Sequence, residues 1–293
     1  MLTLRPFGVA VAAAALLACN QVPAGAIVNG VAQDRTWFVR LSITQPGHEP
    51  STCSGALVAP TVVMTAAHCV TDWNTKGEIT WRAKPADVTA YVGFVNASHM
   101  GSRSTVKTVN VHPTFGVRPL PHNDVALLAL SSPVKNRPLW LAPLPRASTE
   151  GTKVQLFGSG NGVLQATIPG AYSLTYKCDP HKQPGNVCYK LWSGKETRGA
   201  GGDSGGSWVG TVDGSDISFG VYTGYTAVGS TFISFYGAGT ADPGNAAFIR
   251  KVAGIPAVAR GIVRDPKTGQ SWYLDLQGYR LPILDAITYD CLV

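Results

Sequence analysis

The sequence predicts an all-β protein, a sandwich or barrel, divided into two comparable strand-rich halves. Three observations carry this. Short runs rich in Val, Ile, Thr and aromatic residues recur between clusters of Gly, Pro, Asn and Asp, the pattern of many short strands joined by tight turns. The 3.6-residue apolar period of amphipathic helices is scarce. A Pro-rich stretch, Ser131 to Thr149, contains Pro133, Pro138, Pro143 and Pro145, separates two comparable strand-rich portions and reads as a linker. Composition agrees. Charged residues make up 14% of the 293, against roughly 25% in an ordinary soluble protein, which argues against disorder and against a coiled coil. The net charge of +7 is spread along the chain without a basic run, so it reads as a solvated surface and no nucleic-acid partner is expected.

Taken in order, residues 1–26 read as a signal peptide, with or without a short pro-segment. Arg5 gives a positive start, Phe7 to Ala18 is an apolar stretch too short to span a bilayer, and Ala24-Gly25-Ala26 is a small-x-small cleavage site. Leu16-Leu17-Ala18-Cys19 also resembles a bacterial lipobox, so a lipid anchor at Cys19 is an alternative end to the same export signal. No later segment is apolar for long enough to be a membrane helix. Strands are expected at Trp37 to Thr44, Val62 to Ala66, Thr89 to Val95, Thr105 to Val111, Val125 to Leu130, Val154 to Phe157, Ile217 to Thr223 and Thr231 to Tyr236. Phe248 to Val252 fits a short helix or a strand. Residues 254–293 form an extension, with further strands at Trp272 to Leu276 and Ile283 to Tyr289. Asn96-Ala97-Ser98 is a glycosylation sequon best read as chance.

The six cysteines are Cys19, Cys53, Cys69, Cys178, Cys188 and Cys291. They form no C-x-x-C, and H-E-x-x-H is absent, so neither a zinc site nor another metal or cofactor is expected. An exported chain meets oxidising conditions, where disulfides are the default. Cys53 with Cys69 and Cys178 with Cys188 are the economical local pairs, although spacing leaves connectivity open.

The chemistry centres on Gly202-Asp203-Ser204-Gly205-Gly206. Flanking glycines let the backbone bend sharply around a serine and aim amide N–H groups at a developing oxyanion. A Gly-x-Ser-x-Gly also suits the nucleophile elbow of an α/β-hydrolase, but that arrangement needs a His after the Ser, and all six His precede Ser204. An Asp-His-Ser order finds only Asp34 before His68, in no supporting context. The order His, Asp, Ser remains. His68, in Thr65-Ala66-Ala67-His68-Cys69, follows an apolar strand. Asp124 stands at the mouth of Val125-Ala126-Leu127-Leu128-Ala129-Leu130, where a buried carboxylate needs a partner. A general base needs such rigid placement within reach of its proton. Gly158-Ser159-Gly160-Asn161-Gly162 resembles the start of a dinucleotide fingerprint, but Val163 stands in place of the third glycine and no helical pattern follows.

Ile27-Val28-Asn29-Gly30, Thr65-Ala66-Ala67-His68-Cys69, Asp124-Val125-Ala126-Leu127-Leu128 and Gly202-Asp203-Ser204-Gly205-Gly206 together resemble the four signature segments of chymotrypsin/trypsin-like serine proteases. The resemblance implies two six-stranded antiparallel barrels, about 27–135 and about 150–253, with the active site in the cleft between them and a short C-terminal β extension. It implies His68, Asp124 and Ser204 as base, orienting acid and nucleophile, the amides of Gly202 and Ser204 as oxyanion hole, Ile27 and Asp203 as activation pair, and Cys53–Cys69 and Cys178–Cys188 as disulfides. The expected product is a secreted, extracellular, monomeric endopeptidase whose partners are a protein or peptide substrate and a protein inhibitor. The alternative is a silent homologue that binds a protein. The pattern departs from the family at the specificity pocket. Arg198 stands at the expected floor, Ala200 replaces a cysteine, Thr223 replaces a serine, and Tyr225 begins a divergent loop. Poor cleavage after Lys and Arg follows from Arg198 at the floor.

Overall fold

The computed structural model describes residues 27–118, 121–142, 150–175, 185–191, 196–212, 215–228, 231–254, 261–264, 271–274 and 280–282. After the short β1 (Val31–Ala32), the first half runs β2 (Phe38–Ile43), β3 (Ser51–Ala59), β4 (Val62–Thr65), the hairpin β5 (Thr71–Trp73) and β6 (Ile79–Arg82), then β7 (Val88–Val92), β8 (Ser102–Val111) and β9 (Ala126–Leu130). Strands β2, β3, β4, β9, β8 and β7 close in that order into an antiparallel barrel. Its core is aliphatic. Val39, Leu41, Leu57, Val63, Leu127 and Leu128 have no exposed surface.

The second half contains β10 (Trp140–Leu141), β11 (Lys153–Gly158), β12 (Gln165–Ala166), β13 (Tyr172–Thr175), β14 (Asn186–Leu191), β15 (Ser207–Val212), β16 (Ser215–Val228) and β17 (Thr231–Gly239). Pairing runs β11-β13-β14-β17-β16-β15 and returns from β15 to β11, closing a second six-stranded antiparallel barrel. This core is aromatic. Tyr189 stacks on Trp208 at 3.9 Å between ring centroids, and Tyr172 meets Trp208 edge-on at 4.8 Å, geometries that complement the ring quadrupoles. β1 pairs with β12, so the start of the described chain is fastened to the second barrel.

The expected strands are found, with differences that have physical causes. Ile217 to Thr223 lies inside the much longer β16. Strand β3 shows no polar alternation, because residues 53–58 are all buried; a strand covered on both faces carries no period-2 signal. Phe248 to Val252 belongs to a helix, α1 (Pro243–Ala253). Its start is fixed by Asp242, which accepts from Gly244 N at 3.0 Å and Asn245 N at 3.3 Å, with Pro243 in the first turn, and Gly254 ends it at φ 64°. Three strands of the extension, β18 (Gly261–Arg264), β19 (Ser271–Leu274) and β20 (Arg280–Pro282), pair as one antiparallel sheet. Ile283 to Tyr289, Cys19, Cys178, Cys291 and the signal segment lie outside the described residues. Among the described residues no helix is long and apolar enough to cross a membrane.

Leu128, in the middle of β9, ties Asp124's strand to the first core. Leu128→Ala is expected to destabilise the protein by about 2–5 kcal/mol, read from denaturant midpoints at constant m-value. A loss under 1 kcal/mol would mean that this strand is not anchored as described.

Candidate active site

His68 and Asp124 are brought together by sheet register. Thr65 of β4 pairs with Ala126 of β9, so the segments just beyond the two strand ends lie side by side. After β4 the chain enters a short 3-10 turn, Ala67–Val70, carrying His68. The Cys53–Cys69 disulfide ties that turn to β3. Before β9 the chain bends at Asn123, whose φ of 48° is left-handed, a conformation Asn tolerates better than most residues. Asp124 has no exposed surface. Its Oδ2 lies 2.7 Å from His68 Nδ1, and its Oδ1 accepts from the His68 backbone N–H at 2.9 Å. Burial opposes ionisation of Asp124, but the His68 charge and its hydrogen bonds outweigh it and hold the carboxyl below its ordinary value. For His68 burial disfavours the cation; the Asp124 charge and hydrogen bond win, and the imidazole is held above its ordinary value. Thr223 Oγ1, also buried, comes close enough to help hold Asp124 ionised, without a hydrogen bond of standard geometry.

Ser204 sits on the loop entering β15. Its carbonyl accepts from Ser54 N at 2.8 Å and lies 3.6 Å from Cys69 Sγ, which places the loop beside the His68 turn. Gly202 adopts φ +88°, and a Cβ there would come within 2.7 Å of Gly160 Cα, so glycine is required on both counts. Main-chain bonds stitch the loop to β16: Gly205 N to Tyr222 O at 2.9 Å and Tyr222 N to Gly206 O at 2.7 Å. Among the described residues, the N–H groups of Gly202 and Ser204 donate to no protein acceptor. No hydrogen bond joins the Ser204 hydroxyl to the His68 ring; in ligand-free sites such bonds are commonly long and tighten around substrate.

Asp203 is the second fully buried carboxylate. Oδ1 accepts from Gly160 N at 2.9 Å and Oδ2 from Ala200 N at 2.8 Å. Burial pushes its pKa up to about 6, against the pull of these two bonds, of the Ile27 N–H and of the Arg40 charge. Ile27 is itself buried, and Val28 pairs with Arg198 through main-chain bonds of 2.7 and 3.3 Å. The activation pair of the sequence reading is therefore side by side.

The expected pocket residues lie close by. Arg198 is half-buried, with its backbone in the Val28 bridge and its charge acting on the Tyr172 phenol. Tyr225 is 41% exposed and tilts against Phe235 at 5.9 Å. Cys188 is disulfide-bonded, while Cys178, its expected partner, lies outside the described residues. Sequence reasoning missed Tyr222, a buried ring packed so tightly on Gly199 that a Cβ there would stand 2.7 Å from Cε1 and Cζ. It also missed Ser54, whose hydroxyl donates to Gly202 O at 3.0 Å and accepts from Ser159 N at 3.1 Å. No local pattern marks the second, because its place is set by the β2–β3 register. Among the described residues no cluster of three metal-ligating side chains occurs.

Comparison with known proteins places this geometry. The chain is 35% identical over 131 residues to a trypsin of Saccharopolyspora erythraea, covering 44% of this chain and 52% of that protein. It is 33% identical over 123 residues to a trypsin of Phaedon cochleariae, covering 41% and 43%. It is 26% identical over 162 residues to glucanase inhibitor protein 2 of Phytophthora sojae, covering 55% and 48%. The matches thus span about half the length of these relatives. The family model for trypsin matches residues 27–254, from the buried Ile27 through both barrels to the end of α1. With two closed six-stranded barrels and that match, the chain belongs to the trypsin family of serine proteases.

Proposed function

We propose that the chain is a secreted serine endopeptidase that cleaves protein or peptide substrates through an acyl-enzyme. The observation that carries this reading is the fully buried Asp124 bonded to both the ring and the backbone of His68, beside a glycine-flanked Ser204. Asp124 fixes the tautomer in which His68 Nδ1 carries its proton, leaving Nε2 to accept one. His68 takes the Ser204 hydroxyl proton as Oγ bonds to the scissile carbonyl carbon. The oxyanion is met by the unspent N–H groups of Gly202 and Ser204. Collapse breaks the C–N bond and His68 returns the proton to the departing amine; water then reverses the sequence and frees the acid. The second reading, a silent homologue that binds a protein partner, draws on the relative named as a glucanase inhibitor. The presence of His68, Asp124 and Ser204 together favours the enzyme.

Ser204→Ala is expected to lower kcat on a peptide anilide by a factor on the order of 10⁶, and wild type is expected to take a fluorophosphonate label at Ser204. A wild-type protein that neither labels nor turns over substrate would leave the binding reading in possession.

The held-up His68 pKa sets the acid limb. The base works only as neutral imidazole, so kcat/KM should fall as pH drops through a value above the ordinary 6.5. A profile flat down to pH 5.5 would contradict the Asp124–His68 coupling. Stability runs the other way. The charged pair contributes fully below the unfolded His value and is lost as pH rises through the raised one.

Residues 1–26 serve as the export signal in this proposal, and their removal after Ala26 creates a free amine on Ile27 beside Asp203. A free α-amine titrates at about 7.7–8.0, and pairing with a buried carboxylate raises it. The pair's contribution is complete below the free value and fades as pH climbs through the raised one, giving an alkaline loss of activity. N-terminal sequencing of the active secreted form should begin at Ile27. An active form beginning at Cys19 would sink the scheme.

A further inference from the structure

Arg40 alternates with the buried Val39, Leu41 and Ile43 on β2, so it lies on the opposite face of the strand, and it stands directly across the β2–β3 pair from Ser54. It does not run to solvent. Its Nη2 donates to Thr52 Oγ1 at 3.2 Å, its guanidinium lies 5.2 Å from the centre of the Phe94 ring, and its Nη1 donates to the Ser159 carbonyl. That carbonyl belongs to the same peptide unit as the Gly160 N–H, which donates to Asp203 Oδ1 at 2.9 Å. A cation on the oxygen end of a peptide polarises and orients the N–H at its other end. Ser54 holds the neighbouring peptide, taking the Ser159 N–H and giving its own proton to Gly202 O. Two facing residues of the first barrel therefore hold the Ser159–Gly160 turn of the second, and Ser54 also holds the loop that carries Asp203 and the oxyanion amides.

We infer that Arg40 is a positioning residue for the oxyanion loop, acting through the Ser159–Gly160 peptide. The inference rests on the endopeptidase reading for its catalytic consequence. The contact needs no free amine at Ile27, so it supplies order to the loop independently of chain processing. Arg40 touches none of the reacting atoms, and its effect appears in the step where the oxyanion forms.

The test compares wild type, Arg40→Met, Arg40→Lys and Thr52→Val as full mature chains. Arg40→Met keeps the stem on Phe94 and removes the fork. Losing one direct oxyanion donor costs about 10²–10³, so this indirect loss should lower kcat by about tenfold to a hundredfold, with KM on a peptide anilide within about twofold. Amide exchange in residues 157–161 and 199–206 should accelerate while β9 keeps its protection. A merely structural role would instead speed exchange throughout. Arg40→Lys should recover part of kcat, and Thr52→Val should shift kcat and exchange slightly in the direction of Arg40→Met, which keeps the test alive if that variant fails to fold. Unchanged kcat with unchanged loop exchange overturns the inference. If wild type itself shows no turnover, the endopeptidase reading falls, and exchange of the two loop segments alone decides the role of Arg40.

Discussion

A carboxylate with no exposed surface at the junction of two barrels sets the terms for the rest of the site. Asp203 must be given donors or stay neutral, because an unpaired buried charge is too costly. Its two oxygens are met by the main-chain N–H groups of Gly160 and Ala200. This contact demands glycine around it. A Cβ on Gly158 would stand 2.3 Å from Asp203 Oδ1, and one on Gly160 would stand 2.1 Å from Gly201 O. The loop of Ser204 is anchored at Asp203 by these two bonds, and Gly202, just before it, is left-handed.

The second buried carboxylate shows the opposite balance. Asp124 is as deeply enclosed as Asp203, yet it is held below its ordinary value while Asp203 is pushed to about 6. The difference lies in the partner. His68 offers Asp124 an ionisable ring at 2.7 Å as well as a backbone N–H. Asp203 has neutral amide dipoles at contact distance, with the Arg40 charge acting through the Ser159–Gly160 peptide. One carboxylate is stably ionised and suited to orienting a base. The other is left responsive to what arrives beside it.

Much of this was legible in the sequence, and the boundary is instructive. Thr65 to Cys69, Asp124 to Leu128 and Gly202 to Gly206 could be read because each is a contiguous string whose chemistry depends on neighbours in sequence. Arg40, Ser54 and Ser159 could not. They are placed by the β2–β3 register and by the approach of one barrel to the other, which no local pattern encodes. Arg40 reads as an ordinary solvent-facing position of a half-buried strand, since alternation with Val39 and Leu41 is what such a strand would show. Tyr222 was hidden for a related reason: β16 is covered on both faces near Gly220–Tyr222, so a core tyrosine there carries no mark of its nearness to Ser204. The Asp242-Pro243 start and Gly254 end of α1 were present as signals, but its buried stripe is only Asn245 and Ile249, too thin for a convincing period.

In the proposed processing scheme the two halves of the site would divide the labour of activation. Burial pushes the Asp203 pKa up to about 6, against the pull of its amide donors, so keeping its charge buried is costly. In the proposed scheme a new amine on Ile27 arrives beside this carboxylate. What it changes is the penalty of keeping that charge buried, by replacing the pull of a peptide N–H with that of a cation. The Asp203 bonds to Gly160 and Ala200, and the Ser54 bond to Gly202, exist without that cation. Under that scheme the amine would add to bonds already in place, and the first barrel, through Arg40 and Ser54, contributes contacts to the same region that do not depend on it.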